Sequence, residues 1–418
     1  MTKREFRMEA GSPLDMDFVR SRFPGLGNGW AFFDNAGGTQ ILSGVVDNMN
    51  DFLFNMNVQI GGSYEISRQA AAALRTGREA MMQFVNAARP EEIAFAPTTT
   101  VALQNLSRSM ASRFEPGDEV IVTVSDHESN IGPWVGLERH GVNVKFWTLD
   151  RDSLELDIDE LRSLLGERTK LVAVTHVSNI IGTINPIAEI AGIVHENGAL
   201  ICTDSVAFAP HRAIDVAELD VDFLAFSTYK VFGPHGAVLY GKYDEFAKLD
   251  NLYHYFYGKD MVPAKLEPGN ANYELAYSTA GIVDYLAALG EQAGQAGTTR
   301  EKIEAAWSAI TAHENLIGER LLEYLRSRSD CRIIGREHGD DPRRVPTISF
   351  TIDGQDSGKI ARQMDDYDIA IRFGDFHARR LAEYLGLAET NGCVRVSMTH
   401  YNTLDEVDAL IRALDEIL

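Results

Sequence analysis

The residues with the clearest chemical promise lie in Asp222-Phe-Leu-Ala-Phe-Ser-Thr-Tyr-Lys230-Val-Phe-Gly-Pro-His-Gly236, where an apolar run ends in small hydroxylated residues, one lysine and a glycine-bearing loop. That order places an amine at the carboxyl edge of a sheet. Desolvation there favours the neutral amine, which can condense with an aldehyde cofactor as a Schiff base. A surface lysine capping a strand would give the same string, so the case rests on its neighbours. The run Ala199 to Thr203 delivers Asp204 to the same edge. An ionised carboxylate beside a pyridine nitrogen keeps that ring protonated and electron-withdrawing, although Asp204 taken alone could equally cap a helix. Asn179 follows the run Leu171 to His176 and suits either a ring hydroxyl or a turn; His127 follows Glu119 to Val124 and suits either an aromatic ring face or a structural role. Thr98, Thr99 and Thr100 follow Ile93 to Ala96 and open a helix, whose hydroxyls and free N–H groups make a phosphate site or a plain N-cap.

Each candidate stands at the end of a short apolar run, and the runs alternate with helical stretches. Val144 to Thr148, Phe223 to Ser227 and Ala237 to Tyr240 complete the series. The spacing predicts βα units and a mostly parallel sheet with helices on both faces, whose ligands bind at the carboxyl ends of the strands. Ser67 to Ala87 predicts a long helix, Gly258 to Ala271 is turn-rich, and Tyr277 to Leu325 predicts two long helices. Thr403-Leu-Asp-Glu406 is a capping box that opens a final helix with Val407, Leu410, Ile411 and Leu414 on its core face. Strands at Thr347 to Ile352 and Cys393 to Met398 belong to a second, smaller α+β unit. The predicted division is a large α/β domain over 29–285, with 1–28 and 286–418 forming the small domain.

The whole composition narrows the function classes. At 418 residues, 45% hydrophobic and 24% charged, the chain has the proportions of a folded enzyme. Its formal charge of −22 would be repelled by nucleic-acid phosphate and by anionic lipid, and no basic patch offsets it. The N-terminus carries no apolar leader and no run approaches the roughly 20 residues of a bilayer span, so a cytoplasmic protein without membrane partners is expected. Three scattered cysteines, Cys202, Cys331 and Cys393, form neither a disulfide framework nor a metal site. No G-x-G-x-x-G follows the early strands, which argues against a nucleotide-binding dehydrogenase.

From about residue 30 onward the chain resembles class V aminotransferase-type pyridoxal-phosphate enzymes of fold type I, in particular the cysteine desulfurase and selenocysteine lyase branch. The resemblance is carried, in family order, by Phe33-Asp-Asn-Ala36, Thr98 to Thr100, Asp126-His127, His176-Val-Ser-Asn179-Ile-Ile-Gly182-Thr183, Asp204, Ser227-Thr-Tyr-Lys230, and Val394-Arg395 with Tyr401-Asn402-Thr403. It implies a mostly parallel seven-stranded sheet with a smaller α+β C-terminal domain, and pyridoxal 5'-phosphate as cofactor. Lys230 would hold the cofactor as an imine and shuttle protons, Asp204 would pair with the pyridine nitrogen, and His127 would stack on the ring. Asn179 would meet the ring hydroxyl, Thr99, Thr100 and Ser227 the phosphate, and Arg395 the substrate α-carboxylate, with Asn35 and Arg372 beside the substrate. A homodimer with sites at the interface is also implied, Glu267-Pro-Gly-Asn270 reaching toward the partner.

Three positions depart from the family pattern: Ala207 replaces a usual glutamine, Tyr229 a usual histidine, and His377 stands where desulfurases carry their sulfur-accepting cysteine. Chemistry needing only the imine, a base and an electron sink survives that loss. The expected activity is therefore a β-elimination lyase acting on a carbon–sulfur bond, with His377 as acid or base. An aminotransferase or epimerase, and a non-catalytic binding scaffold, are the alternatives.

Overall fold

The structure, a computed structural model, describes residues 13–418; the expectation for the first twelve residues lies outside the described part. Thirteen strands occur among the described residues. In chain order they are β1 (Ala31–Phe32), β2 (Ile93–Ala96), β3 (Glu119–Thr123), β4 (Asn143–Trp147), β5 (Thr169–Thr175), β6 (Leu200–Asp204), β7 (Phe223–Ser227), β8 (Ala237–Gly241), β9 (Cys331–Ile334), β10 (Thr347–Ile352), β11 (Ile369–Ala370), β12 (Arg372–Gly374) and β13 (Cys393–Ser397). Seven of them form one sheet in the order β2-β8-β7-β6-β5-β3-β4. The strands β5, β6 and β7 are apolar on both faces because helices cover both, as a parallel sheet requires.

One member differs from the expected alternation. Ala237–Gly241 runs antiparallel to both β7 and β2. Only residues 228–236 separate it from β7, too short a connection for the crossover that a parallel neighbour needs. The C-terminal half builds a four-stranded antiparallel sheet in the order β12-β13-β10-β9. The segment from Arg372 to His377 begins as a strand and becomes loop only after Gly374. A short parallel pair, β1 with β11, ties the beginning of the described chain to this half.

The helices follow the sequence pattern with shifted ends. The long helix spans Glu65–Val85 and stops at Asn86, whose left-handed φ of 56° ends helices well. The expected helical stretch beyond Tyr277 is broken near Thr279 and divides into Tyr273–Ser278, Ala280–Gln292 and Thr299–Arg326. At the final helix, Leu404–Ile417, the Glu406 N–H donates to Thr403 Oγ1 and the Thr403 N–H donates to Glu406 Oε2, both at 3.1 Å. Val407, Leu410 and Leu414 are buried against β10 and β13 residues, so the stripe is core. The two sheets approach at Gly182. Its φ is +72° and a side chain there would collide with the Thr347 carbonyl, so glycine is required for sterics as well as conformation. No helix among the described residues is long and apolar enough to cross a membrane.

Candidate active site

The carboxyl ends of β2, β3, β5, β6 and β7 converge on a cavity of about 170 Å³. Seven expected residues line it: Thr99, Thr100, His127, Asn179, Asp204, Ser227 and Lys230. They come together because each apolar strand drives itself into the sheet and releases its polar successor at the same edge. Thr98 caps the helix Thr99–Met110 by accepting the Val101 N–H, which leaves the Thr99 and Thr100 amides at the positive helix end. The Thr99 and Ser227 hydroxyls lie 2.7 Å apart and form a buried pair beside those amides.

Lys230 is 8% exposed, and its Nζ has neither a hydrogen bond nor an ion pair among the described residues. Burial, reinforced by the positive field of Arg395 and partly opposed by Asp204, lowers its pKa to about 8. Asp204, 3% exposed, is pushed up to about 6 by burial; the Val206 N–H at 2.9 Å and the charge of Lys230 pull it back. Asp204 ends β6, and its bond to Val206 makes a turn rather than a helix cap. Behind it, His176 stacks on Phe208 at 3.5 Å between centroids and shares a 3.0 Å bond with Ser205 Oγ.

His127 Nδ1 accepts the Ser129 N–H at 3.0 Å, which leaves the ring proton on Nε2. Burial and the nearby cation Lys230 lower its pKa to about 4, so the ring is neutral. The adjacent Asp126, which sequence reasoning quoted only as part of a motif, is fully buried. Its carboxyl accepts Asn130 Nδ2 at 2.7 Å and the Thr175 N–H at 3.0 Å, linking β3 to β5 immediately behind the cavity. Burial raises it to about 8, and the weaker field of Asp204 adds to the rise.

Asn179 lines the cavity as expected. Its Nδ2 donates one N–H to the Phe376 carbonyl at 2.9 Å, while its buried Oδ1 has no partner. Asn35 does not line the cavity. Its Nδ2 donates to the carbonyls of Phe32 and Ser397 and to Asn402 Oδ1, and its Oδ1 accepts Tyr401 O–H. A side chain so engaged pins the segment after β1 to the end of β13.

Arg395 is buried and paired. Its guanidinium donates to Asp34 Oδ1 at 3.2 Å and to the Asn179 carbonyl at 3.1 Å, while Nε has no partner. Arg372 reaches the other oxygen of Asp34 at 2.9 Å and remains largely exposed. Asp34 was visible in the sequence only as a neighbour of Asn35; nothing in its spacing disclosed the two arginines. His377 does not line the cavity but sits at its margin, its ring 5.4 Å from that of His127. Tyr229 lines the cavity, stacked on His235 at 4.8 Å, and Ala207 lines it as well. None of the three thiols reaches the cavity. Cys202 is buried within β6 and Cys393 within β13, burial raises all three thiol pKa values, and Cys331 lies on the far edge strand β9.

The site suits a phosphorylated pyridine aldehyde. A desolvated amine, a carboxylate within its field, a neutral imidazole, an unpartnered amide oxygen and a hydroxylated helix terminus surround one space. Comparison with known proteins agrees. The sequence model of the family described as aminotransferase class-V matches residues 31–410. The chain is 42% identical to the aminotransferase-like protein FGM3 of Gibberella zeae, over 98% of this chain and all of the relative. It is 34% identical to the cysteine desulfurase-like protein ustD of Aspergillus flavus, over 97% of this chain and 91% of the relative. Among solved structures, the apo cysteine desulfurase of Thermococcus onnurineus superposes with a TM-score of 0.85 at 25% identity, covering 99% of both chains.

Proposed function

Because the chain belongs to the aminotransferase class-V family, we propose that its cavity binds pyridoxal 5'-phosphate through Lys230 and that it cleaves a carbon–sulfur bond at the β carbon of an amino acid. The observation that carries the cofactor reading is the buried, unpaired amine of Lys230 facing the same cavity as Asp204. Bound there, the cofactor supplies an electron sink for charge developing at the substrate α carbon. Asp204 would keep the pyridine nitrogen protonated, and His127 would lay its neutral ring against the pyridine. Thr99, Thr100 and Ser227 hold the phosphate with helix-terminal amides and hydroxyls. Lys230 Nζ holds the α proton, and Arg395 takes the substrate carboxylate on its unpaired edge. His377 delivers a proton to the departing sulfur.

Elimination is favoured over persulfide transfer because no thiol lines the cavity and His377 occupies its margin. The test is incubation with L-cysteine or a cysteine sulfoxide, and separately with an amino acid plus a keto acid. Pyruvate and a sulfur species support the lyase; a new amino acid supports an aminotransferase. A purified protein without cofactor absorbance, unaltered by Lys230→Ala, would mean a binding scaffold.

We also infer a homodimer, in keeping with the family resemblance. Tyr253, Tyr255 and Phe256 are 78%, 95% and 66% exposed on one excursion, an apolar display that a second copy would cover. The segment Glu267-Pro-Gly-Asn270 that would reach toward the partner is anchored in its own chain through Glu267. It accepts Arg78 Nη2 at 2.6 Å and the Phe95 N–H at 2.7 Å within its own chain. Light scattering that gives the mass of one chain would refute the dimer.

A further inference from the structure

Two adjacent non-glycine residues, Phe376 and His377, adopt left-handed φ values of 51° and 58°. Bulky side chains rarely accept this region, and it persists only where surroundings enforce it. The enforcement is visible. The Phe376 carbonyl accepts Asn179 Nδ2 at 2.9 Å, the His377 carbonyl accepts the Glu128 N–H at 2.9 Å, and the His377 N–H donates to Asp375 Oδ1 at 3.2 Å. The result is a Phe376 ring lying over the Arg395 guanidinium, 3.8 Å from its central carbon. Asn179 closes the triangle, because its own carbonyl accepts from Arg395 at 3.1 Å.

We propose that Phe376 is a positioning residue for the substrate carboxylate, acting by holding the plane of the Arg395 guanidinium. This deepens the proposed function and rests on it. A guanidinium donates only in its plane, so an aromatic ring on its face removes water without consuming a donor. Asp34 and the Asn179 carbonyl already fix two in-plane directions, and Nε remains buried and unpaired. With the plane fixed, the guanidinium keeps the orientation in which its remaining N–H groups can form two parallel bonds to a carboxylate. Without the ring, the guanidinium is free to tilt toward Asp34 and loses its geometry for two parallel bonds. The strained backbone keeps the ring in place even though Phe376 itself donates nothing to the substrate.

The test uses the full-length protein loaded with pyridoxal 5'-phosphate, titrated with L-alanine and with L-alaninamide while the visible cofactor band is followed. The two probes differ only in the carboxylate. In Phe376→Ala, L-alanine should bind about tenfold more weakly and L-alaninamide within about twofold of the parent, as expected for a desolvated cation–π contact serving only the carboxylate. Phe376→Tyr, which keeps the ring, should retain the parent's preference and shows that the position tolerates change. Equal weakening of both probes would indicate general pocket damage and overturn the inference, as would unchanged affinity for L-alanine. A loaded parent protein that does not distinguish the two probes would overturn it too, by removing the carboxylate clamp. Absence of any cofactor band in the parent refutes the enzymatic reading itself, an outcome separate from the others.

Discussion

Replacing Asp204 by asparagine should make the cofactor-free protein more stable while crippling its chemistry. In the folded chain, burial raises the carboxyl from 3.8 to about 6. The folded state therefore holds the proton more tightly than the unfolded chain, and stability falls as pH rises through that interval. The full penalty, reached above about pH 6, is about 3 kcal/mol. Asparagine cannot ionise, and its Oδ1 can still accept the Val206 N–H that Asp204 accepts at 2.9 Å. Part of the gain is lost because Lys230, buried and charged below about pH 8, forfeits the attraction of Asp204. Making the comparison in a Lys230→Met background removes that coupling. Urea unfolding of the cofactor-free proteins should show the asparagine variant gaining stability over its parent between about pH 4 and about pH 7, with little difference at the acidic end. A difference that stays flat with pH, or favours the parent at neutral pH, would refute the assignment of a desolvated carboxylate at 204.

Thr99→Val removes one hydroxyl of the 2.7 Å pair with Ser227. It should weaken pyridoxal-phosphate affinity about tenfold by equilibrium dialysis, since a bond to a charged phosphate is lost, while leaving the fold intact by circular dichroism. Replacing Cys202, Cys331 and Cys393 together by alanine should leave kcat for sulfur release unchanged, because all three thiols lie away from the cavity and are held protonated by burial. Loss of turnover without loss of cofactor would restore a thiol route.

The strand ends were legible because apolar runs followed by hydroxyl, carboxylate or amine residues carry their own boundary. That signal places Asp204, Ser227 and Lys230 at one sheet edge, although the roles of these residues follow only from their conjunction and from the family resemblance. What the sequence could not convey was how side chains divide their hydrogen-bonding capacity. Asn35 stands in a family motif, yet its amide is consumed by Phe32, Ser397, Asn402 and Tyr401, residues as much as 367 positions away. Asp34 meets both arginines, one on β12 and one on β13, a pairing that its spacing in the chain does not disclose. Phe376 leaves no trace in composition or periodicity, since its importance comes from two unfavourable φ angles that tertiary contacts impose. The reversal at β8 was likewise missed in the pattern, although the short link after Lys230 contained the information.

That reversal gives a chemically silent strand unusual leverage. Ala237 is the registered partner of Ser227 on one side and of Ala96 on the other. The segment leading into Thr99 and the loop bearing Lys230 are thus yoked through a single alanine. A one-residue insertion within β8 would shift its register against both neighbours by about 3.3 Å and turn inward-facing side chains outward. Sequence drift that spares every polar residue of the pocket would still uncouple the phosphate grip from the amine if it changed the length of this strand.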